Sequence, residues 1–327
     1  MSRFLIISSL LGHILTICPP EELLSPCTCH DDSIYCSGNT YLDLANIFRT
    51  MRENDTKIQK NFKMFYINNT FIEELVENTF EDFTFDAIKI QYCDNLSRID
   101  ENAFSNTNLV TKSIELWVLT KMNTTSSIFN ILSKFKNLES IDIQYLNINE
   151  IPEHAFKPII GFQDKLNTII IRGPRLRKIH DNAFYFLNNL TYVELWDTNI
   201  DVISKNTFAF ELNSDQNLTI RFRNCKFMST FNIDRYTFFN SRRHIILDIS
   251  GNAIPYLDEK AFLTFLLADE RNVIITDQLL DCNDCRNVWL RNYRIIDKRI
   301  NNLTCSNRKL LNDSSNFISC NNFALIK

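Results

Sequence analysis

Hydrophobic and polar positions alternate in short runs that return at nearly constant spacing along the chain. Ile88 and Ile90 flank Lys89, Ile114 and Leu116 flank Glu115, and Ile141 and Ile143 flank Asp142. The series continues with Ile169 and Ile171 around Ile170, Val193 and Leu195 around Glu194, Ile220 and Phe222 around Arg221, and Leu247 and Ile249 around Asp248. A period of two predicts a strand with one face buried and the middle residue pointing out. The runs recur every 23 to 28 residues, a spacing typical of structural repeats. So short a strand cannot bury its apolar face alone, and stacked copies would share one core and one parallel sheet.

Segments such as FDAIKIQYCDNL from Phe85, LESIDIQYLNI from Leu138 and HIILDISGNAI from His244 align on LxxLxLxxN/CxL, with Ile and Phe often replacing Leu. The first copy is FKMFYINNTFI from Phe62, and a worn RNVIIT near residue 271 is the last. This is the leucine-rich repeat pattern. It predicts an α/β leucine-rich repeat solenoid, curved, with the parallel sheet on the concave face and an irregular or short-helical convex side. Most copies go on to ENTF, ENAF, EHAF, DNAF, KNTF or EKAF, which places Phe80, Phe104, Phe156, Phe184, Phe208 and Phe262 at matching positions. These predict a stacked phenylalanine spine, and they explain why the chain carries 26 Phe. The copy at Thr111 lacks that motif, and Ile128, Phe129, Leu132 and Phe135 predict a short helix in its place. Ahead of the repeats, Leu44, Ile47, Phe48 and Met51 lie at helical spacing and would cover the first strand.

The resulting division is a leader over 1–17, a cysteine-rich N-terminal cap with the first strand and helix over 18–60, eight to nine repeats over 61–278, and a cysteine-rich C-terminal cap over 279–327. The leader reading rests on Arg3 followed by an apolar run from Phe4 to Ile17. A membrane anchor is the competing reading, but the run is short of the roughly 20 residues needed to span a bilayer. The C-terminus shows neither a spanning segment nor a GPI tail, so a secreted, extracellular product is expected. Eight NxS/T sequons agree with that compartment, at Asn54, Asn68, Asn95, Asn123, Asn189, Asn217, Asn302 and Asn312.

A composition with 45% hydrophobic residues and a net charge of -4 fits an ordered protein. Lys and Arg are scattered, with no basic run to meet a nucleic acid backbone. No HExxH, GxSxG, P-loop or dinucleotide-binding turn is present, and no cofactor is expected. His154, His180 and His244 fall within the repeat pattern as structural or solvated residues. Glu115 and Asp142 on neighbouring strands could form a glycosidase pair; outward acids on such a face are more commonly binding or solubility groups.

The ten cysteines sort by position. Cys18, Cys27, Cys29 and Cys36 open the mature chain, and Cys282, Cys285, Cys305 and Cys320 close it. The second group could also be a zinc site; an oxidising compartment favours disulfides. Cys93 and Cys225 stand at the N/C position of the pattern, which Thr70, Thr198 and Asn252 take in other copies. Five strand spacings would separate them by roughly 25 Å, whereas a disulfide needs alpha carbons within about 7 Å. Each is therefore read as a small buried ladder residue.

Repeats and caps together resemble the extracellular leucine-rich repeat superfamily. The resemblance implies first-to-third and second-to-fourth pairing in each flank: Cys18 with Cys29, Cys27 with Cys36, Cys282 with Cys305, and Cys285 with Cys320. The usual C-terminal flank begins CxC, whereas this chain has CxxC. More narrowly, CPPEELLSPCTCHDDSIYCSG, LDLANIF and FDAIKIQYCDNLSRIDENAF resemble arthropod proteins related to the non-catalytic subunit of oplophorus-luciferin 2-monooxygenase. That resemblance implies a secreted, non-enzymatic binding or stabilising protein and no light-producing chemistry.

The outward strand positions form the candidate site. They are Lys89, Glu115, Asp142, Glu194 and Arg221, with Gln91, Trp117, Arg172, Trp196 and Arg223 two residues on, and Tyr92 and Tyr145 beside them. Large aromatics with arginine are the residue types that dominate protein interfaces. Trp117 and Trp196 are expected to stand exposed on the concave face, and a glycan at Asn68 would limit access at one end. The expected partner is another extracellular protein; the alternative is a recognition or carrier module for glycans or small ligands.

Overall fold

The computed structural model describes residues 18–54, 59–122, 125–158, 165–225, 232–252, 254, 256–277, 279–293, 298–301, 303–307 and 320. The leader read over 1–17 lies outside the described residues, as do the sequon asparagines Asn123, Asn302 and Asn312.

A twelve-stranded sheet runs the length of the molecule, its strands in sequence order. They are β1 (Thr28–His30), β2 (Ser33–Gly38), β3 (Asn61–Asn69), β4 (Thr84–Gln91), β5 (Ser113–Trp117), β6 (Ser140–Gln144), β7 (Thr168–Arg172), β8 (Tyr192–Trp196), β9 (Leu218–Arg223), β10 (Ile245–Asp248), β11 (Val273–Ile275) and β12 (Ile300–Asn301). Only the β1–β2 hairpin is antiparallel; the later pairs are parallel, without a slip between Ser113 and Trp196. Alternation determines which side is buried. Ile88, Ile90, Ile114, Leu116, Ile141, Ile143, Ile169, Val193 and Leu195 all lie in one continuous core.

Just past each central strand the chain leaves the sheet through a left-handed residue. Tyr92, Val118, Tyr145, Asp197 and Asn224 have φ between 47° and 54°, and Gly173 and Gly251 take the same place in their copies. This geometry aims the amide at the neighbouring strand: the N–H of Tyr92 donates to Trp117 O at 3.0 Å, that of Val118 to Gln144 O at 2.8 Å, and that of Tyr145 to Arg172 O at 2.7 Å.

The next residue is the ladder position. Cys225 is buried there, accepting from Thr198 Oγ1 at 3.0 Å, while its N–H donates to Asn252 Oδ1 at 2.8 Å. Cys93 is buried one end over, its thiol directed at Gln91 O. In the first copy the ladder residue is Asn69, not Thr70. Strand β3 runs straight on to Asn69 without a left-handed step, and the buried Asn69 carboxamide accepts from the amides of Phe71 and Ile72 at 2.7 and 3.1 Å.

On the convex side a second ladder of two-residue strands joins Glu150–Ile151, Lys178–Ile179, Val202–Ile203 and Asn232–Ile233. Beneath it the phenylalanine rings stack. Phe80 meets Phe104 at 5.7 Å, Phe156 meets Phe184 at 5.8 Å, Phe184 meets Phe208 at 5.2 Å, and Phe208 meets Phe238 at 5.5 Å. Two details differ from the sequence reading. Phe238 belongs to the spine, and the ring that follows it is Phe265, at 4.7 Å, instead of Phe262. The Asp258 carboxylate caps a helix there by accepting from Ala261 N, so the segment winds through a turn and carries the contact one turn along.

Three helices matter for packing: α1 (Leu44–Asn54), α2 (Thr125–Leu132) and α3 (Glu259–Ala268). Leu44, Ile47, Phe48 and Met51 form the buried face of α1. In α2, Phe129 bridges the irregular copy to Phe156, while Phe135 just beyond the helix meets Phe104.

Disulfides close both ends of the array: Cys18–Cys29 and Cys27–Cys36 at one, Cys282–Cys305 and Cys285–Cys320 at the other. Removing a native disulfide from a small disulfide-held domain typically costs about 2–5 kcal/mol. Trp289 seals the C-terminal end, buried, with its indole N–H on Leu257 O at 2.9 Å. Among the described residues no helix is long and apolar enough to cross a membrane.

Candidate interaction surface

Strand alternation and unbroken register set the outward residues in straight rows across the sheet. One row runs Tyr35, Tyr66, Lys89, Glu115, Asp142, Ile170, Glu194, Arg221 and Asp248. The row beside it, two residues further along each strand, runs Gln91, Trp117, Gln144, Arg172, Trp196 and Arg223. Rows on one strand face are about 7 Å apart and neighbouring strands about 4.8 Å.

The first row is held by local partners. Lys89 pairs with Glu115 at 2.8 Å, and Arg221 pairs with Asp248 at 2.8 Å. Tyr192, two residues before Glu194 on β8, donates to it at 3.0 Å and accepts from Arg221 at 3.4 Å. Gln144 donates to both Asp142 oxygens at 3.1 and 3.0 Å. Tyr192 was not singled out by the repeat pattern, because the position before the paired apolars varies from Ala87 to Tyr192.

The second row stacks. The Arg172 guanidinium lies 4.7 Å from the Trp196 ring centroid and that of Arg223 lies 5.7 Å away. Tyr145 reaches along the edge of the sheet to put its hydroxyl 3.3 Å from Asp197 Oδ2. It can do so because Gly173 stands in the way without a side chain: a β carbon there would sit 3.2 Å from Tyr145 Cα. Trp117 and Trp196 are half-buried, a correction to the expectation that they stand exposed; at Trp196 the guanidinium groups of Arg172 and Arg223 cover part of the ring. Tyr92 and Tyr145 are the open aromatics, each 48% exposed.

Burial pushes the Asp142 carboxyl above its ordinary range, with Gln144 and Arg172 opposing and the charges of Glu115 and Glu194 adding to the rise. The sign follows from linkage. A carboxyl more basic in the fold than in the unfolded chain binds its proton first in the fold, so its ionised form costs stability at neutral pH. That stability returns as pH falls through the folded value towards 3.8. Asp142→Asn is therefore expected to be more stable than wild type at pH 7 and to lose that gain at pH 3, below the unfolded value of 3.8. Urea midpoints at the two pH values check this; a less stable Asn variant at pH 7 would refute it.

The remaining sequence candidates fall elsewhere. Burial raises the Cys93 thiol to about 11, an unreactive setting, and raises Cys225 likewise. Asn68 is half-buried on the concave face beside Tyr66. Asn54, Asn189 and Asn217 are exposed. Asn95 is engaged in the fold, its side-chain nitrogen donating to Thr70 O and its oxygen accepting from Lys121 at 2.7 Å. His154 takes the left-handed place of the spine motif that Asn78, Asn182 and Asn206 take in other copies. No group of three or more His, Cys, Asp or Glu among the described residues could hold a metal ion.

Stacked strands, a ring spine and disulfide-closed ends define a leucine-rich repeat solenoid with a mixed-charge, aromatic concave face. The chain belongs to the BspA type leucine rich repeat region family, whose pattern matches in six copies over residues 29–111, 56–164 and 129–262. It is also 28% identical over 199 residues to the oplophorus-luciferin 2-monooxygenase non-catalytic subunit of Oplophorus gracilirostris, covering 59% of this chain and 51% of that protein. The chain thus spans about half the length of the curated relative it matches. Among solved structures it is similar to human 5T4 (Wnt-activated inhibitory factor 1, trophoblast glycoprotein), with a TM-score of 0.44 and 11% identity over 88% of this chain and 95% of that one. The TLR13–ssRNA13 complex gives a TM-score of 0.43 and 13% identity over 74% of this chain and 34% of that one.

Proposed function

We propose that this chain is a secreted, non-enzymatic scaffold that binds a partner protein through its concave face. The observation that carries the reading is the second row of that face, where Trp117, Arg172, Trp196 and Arg223 stand in register on a rigid sheet. Aromatic and arginine side chains held by a preformed surface lose little freedom on binding, which is why they dominate binding energy. The matched relative is by name a non-catalytic subunit, in keeping with a chain that holds another and performs no chemistry itself. Secretion is supported by four disulfides, a redox state typical of extracellular proteins.

Affinity capture from extracellular fluid tests the reading, with wild type compared against a Trp117→Ala, Trp196→Ala double variant. The variant is expected to lose at least about tenfold in partner recovery, the equivalent of about 1.4 kcal/mol. Unchanged recovery by a folded variant would sink the concave-face assignment.

A small-ligand role has one observation of its own. A cleft of about 360 Å³ opens between the start of α1 and the turn after β3, lined by Tyr41, Leu44, Phe71, Ile72, Glu73 and Glu74. Its size falls within the range of ligand pockets. Glycan-array binding that survives the double tryptophan variant would favour this second reading.

A further inference from the structure

The cations of the concave face divide into two kinds. Lys89 and Arg221 are neutralised by Glu115 and Asp248. Arg172 and Arg223 take part in no ion pair among the described residues, although three acids stand near them. Those acids are held by neutral donors: Asp142 by Gln144, Glu194 by Tyr192, and Asp197 by Tyr145 and Asn224. The two guanidinium groups rest against Trp196 instead. Stacking engages the flat face of a guanidinium and leaves the two Nη donors at its end available to a planar carboxylate.

We infer that the partner is an acidic protein segment that lies along the ends of β5 to β9 and presents carboxylates to Arg172 and Arg223. This inference rests on the concave-face reading and gives it a chemistry. A uniform polyanion fits less well. Asp142 and Glu194 lie two residues back on the same strands, about 7 Å from the second row, and a chain charged along its whole length would meet them. Discrete carboxylates on a protein segment can sit over one row only, leaving neutral or basic groups over the other.

The test is selection of 12-residue peptides, displayed on phage, against the immobilised full chain, with binding of the selected peptides then measured by fluorescence anisotropy. Peptides enriched in Asp and Glu are expected, and they should bind an Arg172→Gln, Arg223→Gln variant about tenfold more weakly or worse. Arg223→Glu alters a single exposed side chain, so it keeps the test valid if the double variant fails to fold; it too should lose at least about tenfold.

Peptides that need Trp117 and Trp196 but ignore both arginines would overturn the carboxylate assignment and leave the concave-face reading standing. Peptides that bind the double tryptophan variant unchanged would overturn the concave-face reading itself. Retention of a heparin oligosaccharide with the same arginine dependence would assign the site to polyanions instead, and failure to select any peptide would also count against the inference.

Discussion

Phe184→Ala is expected to lower the stability of the chain by about 3–4 kcal/mol, the range for removing a fully buried aromatic ring. Phe184 has no exposed surface and lies between two near-parallel neighbours, with interplanar angles of 16° to Phe156 and 9° to Phe208. In a solenoid each repeat is stabilised mainly by its two neighbours. Cutting one ring from the spine therefore weakens two interfaces at once, beyond the loss of buried area. Each aromatic pair adds about 0.5–1.5 kcal/mol to the burial itself. The exposed Phe239, next in sequence to the spine ring Phe238, is the control, and Phe239→Ala should change stability by less than about 0.5 kcal/mol. Urea unfolding followed by circular dichroism measures both. A loss below about 1 kcal/mol at Phe184 would mean that the rings fill space without coupling the repeats.

The repeat array was legible because one physical constraint is repeated many times. Period-two alternation places Ile88 and Ile90 inward and Lys89 outward, and every later copy restates that choice. The spine motif was legible for a related reason: its Asn78, Asn182 and Asn206 are the residue type that best tolerates the left-handed turn preceding the ring. Where another backbone took over, the signal failed. Phe238 follows Tyr236, which does not adopt that conformation, and so its DRYTFF segment does not resemble the other copies. Phe262 shows the opposite error, a matching motif inside a capped helix that turns Phe265 to the spine.

The candidate surface was half legible. Alternation tells which side chains share the concave face, but not which of them neutralise one another. That Lys89 and Arg221 are paired while Arg172 and Arg223 stack on Trp196 depends on rotamers chosen across three strands. Gly173 is informative only with Tyr145 in view, because its role is to leave room for a neighbour 28 residues away. The half-burial of Trp196 follows from the same lateral crowding.

Arg243 left no signal at all in the pattern, and its substitution is the second large effect expected. It precedes β10, only 2% exposed, and its guanidinium lies 3.9 Å from the centre of the Phe210 ring. Its Nη1 donates to Leu190 O at 2.9 Å and its Nη2 to Asn188 O at 2.8 Å, so one side chain fastens β10 to the segment before β8, two repeats away. No carboxylate pairs with it among the described residues, and burial alone drives its pKa down to about 10. The cost of holding that charge is offset by two charge-assisted hydrogen bonds, each worth about 1.5–3 kcal/mol, and by the ring face, worth about 2 kcal/mol. Arg299 repeats the device at the C-terminal end, donating to the carbonyls of Asn272, Asp269 and Leu266. Arg243→Met preserves volume and removes the desolvated charge, yet it strands the buried Leu190 carbonyl and the half-buried Asn188 carbonyl, for an expected loss of about 2–4 kcal/mol. Arg243→Ala adds a cavity against Phe210 and should lose about 1–2 kcal/mol more. Urea midpoints separate the possibilities: a Met variant as stable as wild type would show that the buried charge is merely tolerated, whereas a loss in both variants, larger in Ala, marks Arg243 as the cross-repeat fastener.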